Sequence, residues 1–166
     1  MSESCDVCGF VWDSVTASEF PIRLAVAAGG FQHVLRSGSP TLSVRSQPDV
    51  WSVCEYSSHV RDAMLNLRDR IIVGLAEDNP VPKAMFTDLR IATGIYAADT
   101  PELLDVEIGV AAGLLIRGVA ALDAQQLGRP IFYGWPRPAT RTLLWVAAQA
   151  LHETEHHLTD IQRLAA

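Results

Sequence analysis

The chain has 166 residues, 49% of them apolar and 19% charged, a composition that suits one compact globular domain with a full core. A net charge of −6 and an isoelectric point near 5.2, with no cluster of basic residues, argue against nucleic acid and anionic membrane as partners. The thirteen basic residues comprise one lysine, Lys83, and twelve arginines, a bias that fits a GC-rich genome.

The opening MSESCDVCGF has no apolar run behind a positive start, so a secretory signal is not expected. The best apolar run, Ile108 to Leu122, is interrupted by Arg117 and is too short to span a bilayer. A cytoplasmic protein is expected, organised as a single domain over residues 1–166 with a short N-terminal segment, 1–16, that carries a Cys-x-x-Cys pair. In a reducing compartment Cys5, Cys8 and Cys54 read as thiols or metal ligands and not as a disulfide frame.

The first helix is predicted over Ala17 to Arg36, weakened at Gly29-Gly30, where missing side chains let a neighbour approach. Ser37-Gly38-Ser39-Pro40 ends it. A second helix is predicted from about Pro48 or Asp49 to Glu77, because Val53, Val60, Met64, Leu67, Ile71 and Leu75 recur at three- and four-residue steps. Asn79-Pro80-Val81-Pro82 stops it, and Lys83 to Asp99 reads as a loop with a short helix. Thr100 as N-cap, Pro101 at the first helical position and Glu102 in the first turn open a third helix to about Leu127. The aromatic stretch Ile131 to Pro136 is too short for a sheet of its own and reads as a crossing loop. A last helix is predicted from about Thr140 to Leu164. Four long helices without credible strands predict an all-α four-helix bundle.

Three of the five histidines fall in ALHETEHHLTDI, Ala150 to Ile161. His152 and His156, one helical turn apart, bring two imidazoles towards one point, as a metal requires of a single helix. His157 falls on another side, with Val146 and Leu164. In the second helix His59 sits at the edge of the apolar stripe, near Tyr56 and Ala63. If the two borders face each other, His59, His152 and His156 form a three-imidazole site with open positions; solvated surface histidines are the alternative. His33 has no comparable partner and reads as structural or surface.

HETEH also satisfies the H-E-x-x-H pattern of zinc proteases, with Glu153 as general base. That motif needs a third ligand farther along, and the ten residues after His156 supply no glutamate. Peptide hydrolysis is therefore the weaker reading, and Glu153 reads as a surface or ligand-orienting residue.

Trp51-Ser52-Val53-Cys54-Glu55-Tyr56-Ser57-Ser58-His59-Val60-Arg61-Asp62 resembles the second-helix signature of the DinB-like superfamily, helical bundles related to mycothiol-dependent maleylpyruvate isomerases and bacillithiol transferases. His152 and His156 fall on that family's H-x-x-x-H pair. The resemblance implies a homodimeric four-helix bundle that binds zinc or nickel through His59, His152 and His156. It also implies activation of a small thiol, with mycothiol the thiol expected of a GC-rich genome, for attack on an electrophilic substrate. Asp62, one turn after His59, is placed to orient that imidazole, as Glu153 or Asp160 are for the other two; pairing of Asp62 with a surface arginine is an equal alternative.

Cys5-Asp6-Val7-Cys8-Gly9-Phe10 resembles one knuckle of a zinc ribbon and departs from the plain DinB-like pattern. Three readings compete. The pair joins histidines in a metal site, forms a reversible redox couple, or is two inert thiols near a terminus. Cys54 reads as a small buried hydrophobe. A thiol-dependent transferase or isomerase is thus the leading functional expectation, and a non-catalytic metal or redox sensor built on Cys5, Cys8 and the histidines is its rival.

Overall fold

The computed structural model describes residues 3–135 and 137–165; Met1, Ser2 and Ala166 at the ends of the expected domain, and Pro136 at the end of the aromatic stretch, lie outside them. Helix α1 spans Phe20–Leu35, with Pro21 in its first turn. Helix α2 spans Val53–Ala76 and starts later than the predicted Pro48 or Asp49. The reason is a capping box: Ser52 Oγ accepts from the Glu55 N–H at 3.2 Å, and the Glu55 carboxylate accepts from the Ser52 N–H at 2.8 Å. The short helix expected in the Lys83–Asp99 stretch is α3, Thr87–Ala92.

Helix α4, Pro101–Ala120, begins at Thr100 as predicted but ends well short of Leu127. Asp123 instead caps a separate single turn, α5, Ala124–Leu127, by accepting from the Gln126 N–H at 2.8 Å. The aromatic stretch differs most from expectation. Strand β1, Pro130–Tyr133, pairs antiparallel with β2, Ala139–Thr142, so the predicted crossing loop is half of a hairpin. A short apolar run reads as a strand only when a partner is present, and here the partner comes from residues assigned to the start of the last helix. The Phe132 N–H also bonds the Pro80 carbonyl at 2.9 Å, which ties the hairpin to the segment that follows α2. Helix α6 then runs over Leu143–Ala165.

Helices α1 and α2 each pack against both α4 and α6, yet hardly touch each other. The four long helices therefore form a ring in the order α1, α4, α2, α6, with the successive helices α1 and α2 on a diagonal. Phe20, Phe31, Met64, Leu104, Ile108, Leu115, Leu151 and Ile161 fill the centre and are fully buried. Close approach at Gly30 is real: a Cβ there would meet Leu158 Cδ2 of α6 at 2.7 Å, whereas one at Gly29 would meet nothing. No described helix is long and apolar enough to cross a membrane. For the site, two consequences matter: α2 lies against one side of α6, and the N-terminal segment around Trp12 lies against another.

Candidate metal centres

Consecutive residues on a helix differ in direction by about 100°. His152 and His156 make one lane of α6; Glu153 and His157, one residue on, make a second. The bundle gives these lanes different partners. His59 from α2 meets the second lane, with Nε2 3.1 Å from Glu153 Oε2, and His157 Nε2 lies 3.5 Å from the same oxygen. His59, Glu153 and His157 thus each offer a donor atom within 4.8 Å of the others. The first lane meets the N-terminus instead: Cys5, Cys8, His152 and His156 satisfy the same spacing among themselves. The trio expected from sequence, His59 with His152 and His156, is not brought together as one ligand set.

The cleft group carries a definite charge pattern. Burial works against a charged His157, but hydrogen bonds to Asp160 and Glu153 outweigh it and lift the imidazole to about 9. Burial likewise works against a charged Glu153, and is overcome by hydrogen bonds from His157 and His59 that hold the carboxyl well below the usual range. Asp160, whose oxygen lies 2.9 Å from His157 Nδ1, is lowered by that contact and fixes the ring of His157, where the expectation had it orient His152 or His156. Gln149 donates to the second Glu153 oxygen at 2.6 Å and accepts from Trp12 Nε1 at 2.7 Å. The rings of Trp51 and Tyr56 pack on His59 and His157 respectively, at 5.5 and 5.1 Å between centroids.

These residues fit a divalent cation. Bonds of about 2.0–2.2 Å to nitrogen and oxygen set tetrahedral donors roughly 3.3–3.6 Å apart, close to the spacings around Glu153 Oε2. His59 Nδ1 is buried without a hydrogen-bond partner among the described residues, so the ring is not explained by a complete hydrogen-bond network. The group opens on a cavity of about 770 Å³, lined among others by His59, Glu153, Gln149, Tyr133, Trp135 and Phe86. Phe86 holds a left-handed backbone, φ 56°, which is uncommon for a bulky residue.

On the other lane, His152 is 4% exposed and both of its ring nitrogens are buried without a hydrogen-bond partner among the described residues. Burial, aided by the charges of His156 and His157 against a partial offset from Glu153, pulls its imidazole down to about 4. The rings of Trp12 and Phe10 enclose it, at 4.7 and 5.2 Å.

Asp62 does not reach His59. It accepts from Arg61 Nε at 2.9 Å, Arg90 Nη1 at 2.5 Å and Tyr96 Oη at 3.0 Å, so the arginine-pairing alternative holds and the orienting role is corrected. Glu153, expected at the surface or behind a ligand, is the centre of the cleft group, and His157, placed on the wrong side by the helical wheel, belongs to that group. The signal for both was present: Glu153 and His157 have the same i, i+4 spacing as His152 and His156. Cys54 is buried beside Ser43, as expected of a small hydrophobe, and His33 is exposed.

The sequence model of the DinB superfamily matches residues 31–161. The chain belongs to the DinB superfamily. The matched region includes all residues of the cleft group and leaves out Cys5, Cys8, Phe10 and Trp12. Among solved structures, the DinB-superfamily chain is similar to YfiT from Bacillus subtilis, described as a probable metal-dependent hydrolase with an unusual four-helix bundle topology. The TM-score is 0.79 at 16% identity, over 92% of this chain and 89% of that one. At that identity the likeness is one of fold. No curated protein matches the sequence.

Proposed function

We propose that this DinB-superfamily protein is a divalent-metal enzyme that activates a low-molecular-weight thiol, mycothiol by expectation, for transfer to or isomerisation of an electrophile. The observation that carries the reading is the convergence of His59, Glu153 and His157 on one point, with His59 and Glu153 on the wall of the cavity. His59 keeps the ligand role expected for it; Glu153 and His157 take the roles expected for His152 and His156. A zinc or nickel ion held there would act as a Lewis acid that lowers the pKa of a bound thiol. The remaining work falls to the chain. Asp160 orients His157, and Gln149 holds the second oxygen of Glu153, which keeps its first turned to His59 and His157. A cavity of about 770 Å³ has room for a thiol and its acceptor together. The protein is proposed to act in the cytoplasm as a homodimer.

A second reading is hydrolysis. Two histidines and a glutamate are also the donor set of water-activating zinc enzymes, and the similar Bacillus protein is described as a probable hydrolase. One assay separates the two. Zinc- or nickel-loaded protein is given a chromogenic aryl halide with and without thiol, and an aryl ester without thiol. Thiol-dependent turnover that disappears in His59→Ala supports the first reading. Ester cleavage without thiol, lost in the same variant, replaces it with the second.

A further inference from the structure

We infer that Cys5, Cys8, His152 and His156 form a closed, structural zinc site that clamps the N-terminal segment onto α6, separate from the cleft centre. The N-terminal half is prefolded as a knuckle. The Cys5 N–H bonds the Phe10 carbonyl at 2.8 Å and the Gly9 N–H bonds the Cys5 carbonyl at 2.9 Å, while an antiparallel bridge joins Ser4 to Val11. Gly9 sits at φ 73°, a conformation that side-chain-bearing residues adopt reluctantly, so the turn that aims both thiols the same way depends on glycine. The helical half supplies two imidazoles one turn apart, with ring centroids 5.3 Å from each other.

All four donor atoms lie within 4.8 Å of one another. A zinc ion with sulfur bonds of about 2.3 Å and nitrogen bonds of about 2.0–2.1 Å needs donors roughly 3.3–3.8 Å apart, within a small adjustment of that spacing. A second observation points the same way. Both nitrogens of His152 and Nδ1 of His156 are buried with no hydrogen-bond partner among the described residues. An unpartnered buried polar group is costly, so an imidazole left bare at both nitrogens inside an aromatic box needs an explanation, and a cation provides one.

The donor chemistry selects the ion. Two thiolates and two imidazoles in a tetrahedron suit zinc, whereas calcium and magnesium prefer oxygen. On binding, each cysteine gives up its thiol proton to solvent, and the two thiolates neutralise the dication, which suits a site with a buried wall. Four protein donors fill the tetrahedron and leave no position for substrate. Its effect on the cleft is indirect: the clamped segment carries Trp12, which bonds Gln149, which bonds Glu153.

The test uses the full-length protein, reduced and loaded with cobalt(II) or zinc. Cobalt in the clamp gives a thiolate-to-metal charge-transfer band and tetrahedral ligand-field absorption. Cys5→Ser/Cys8→Ser is expected to lose that band and one metal equivalent and to keep the other. His59→Ala is expected to keep the band, so failure of the cleft reading leaves this result intact. Wild-type alkylation gives a readout that no folding defect can confuse. Zinc should slow iodoacetamide modification of Cys5 and Cys8 by about tenfold or more, and a strong chelator should restore it. Equal alkylation rates with and without zinc, an undiminished metal content in the double serine variant, or a Cys5–Cys8 disulfide forming in the presence of stoichiometric zinc would each overturn the clamp.

Discussion

The two lanes of α6 differ by a single residue in sequence and by the whole environment in space. Glu153 and His157 meet His59 of α2, and Glu153 lines a cavity, in a group rich in compensated charge: a carboxylate, an imidazole lifted to about 9 and Asp160 behind it. His152 and His156 face the N-terminal knuckle, where His152 is depressed to about 4 and bare of partners. As proposed, the first arrangement leaves coordination positions for a ligand and the second is filled by protein. Open and closed metal sites differ in this way because catalysis needs a vacant position and structural cross-linking does not.

The comparison breaks most sharply in activity. His157→Ala and His59→Ala should each lower kcat/KM by about 10³-fold, roughly 4 kcal/mol, whereas Cys5→Ser/Cys8→Ser should stay within about tenfold of wild type. Steady-state kinetics on metal-loaded protein checks this, and equal losses from both lanes would erase the distinction. Stability should show the opposite order. Chelation, or the double serine change, should lower unfolding free energy by about 3 kcal/mol, the linkage expected when metal exceeds its Kd a hundredfold, and His59→Ala should do less. Chemical denaturation in zinc and in chelator measures it.

The pH dependence of the metal-free protein sharpens the contrast further. His157 is raised above its ordinary value, so its contribution is complete below pH 6.5 and disappears as pH climbs through about 9. His152 is lowered, so its contribution is complete above pH 6.5 and disappears as pH falls towards about 4. Stability should peak near pH 6.5. The alkaline decline should be on the order of 2 kcal/mol, and His157→Gln should flatten it in urea titrations across pH 5–9. The smallest effect belongs to the link between the lanes. Trp12→Phe removes the donor to Gln149 while keeping an aromatic ring, and should lower kcat/KM five- to tenfold, about 1 kcal/mol, with both metals retained.

Much of the fold was legible because its signals are local. The period of Val53, Val60, Met64, Leu67 and Ile71 marks α2, and Thr100-Pro101-Glu102 marks the start of α4. Boundaries failed where a local signal went unread, as with the Ser52–Glu55 capping box and the Asp123 cap. The hairpin of β1 and β2 failed for a different reason, since a strand of four residues has no identity apart from its partner. At the site, the grouping of donor side chains on α6 was legible, as was the placing of His59 beside that helix. Asp62 has two readings in the sequence because an aspartate one turn from a histidine looks the same whether it faces that ring or the arginines and tyrosine that bind it here.

By itself the sequence determined which side chains can act together within one element. Four-residue spacing on a helix and a two-residue gap in a glycine turn fix the angles between neighbouring donors, and these angles survive any packing. Only the tertiary structure decided which lane meets which partner. That choice depends on how α2 and the N-terminal segment are seated around α6, and the seating is fixed by side-chain packing from all four long helices, which no local spacing encodes.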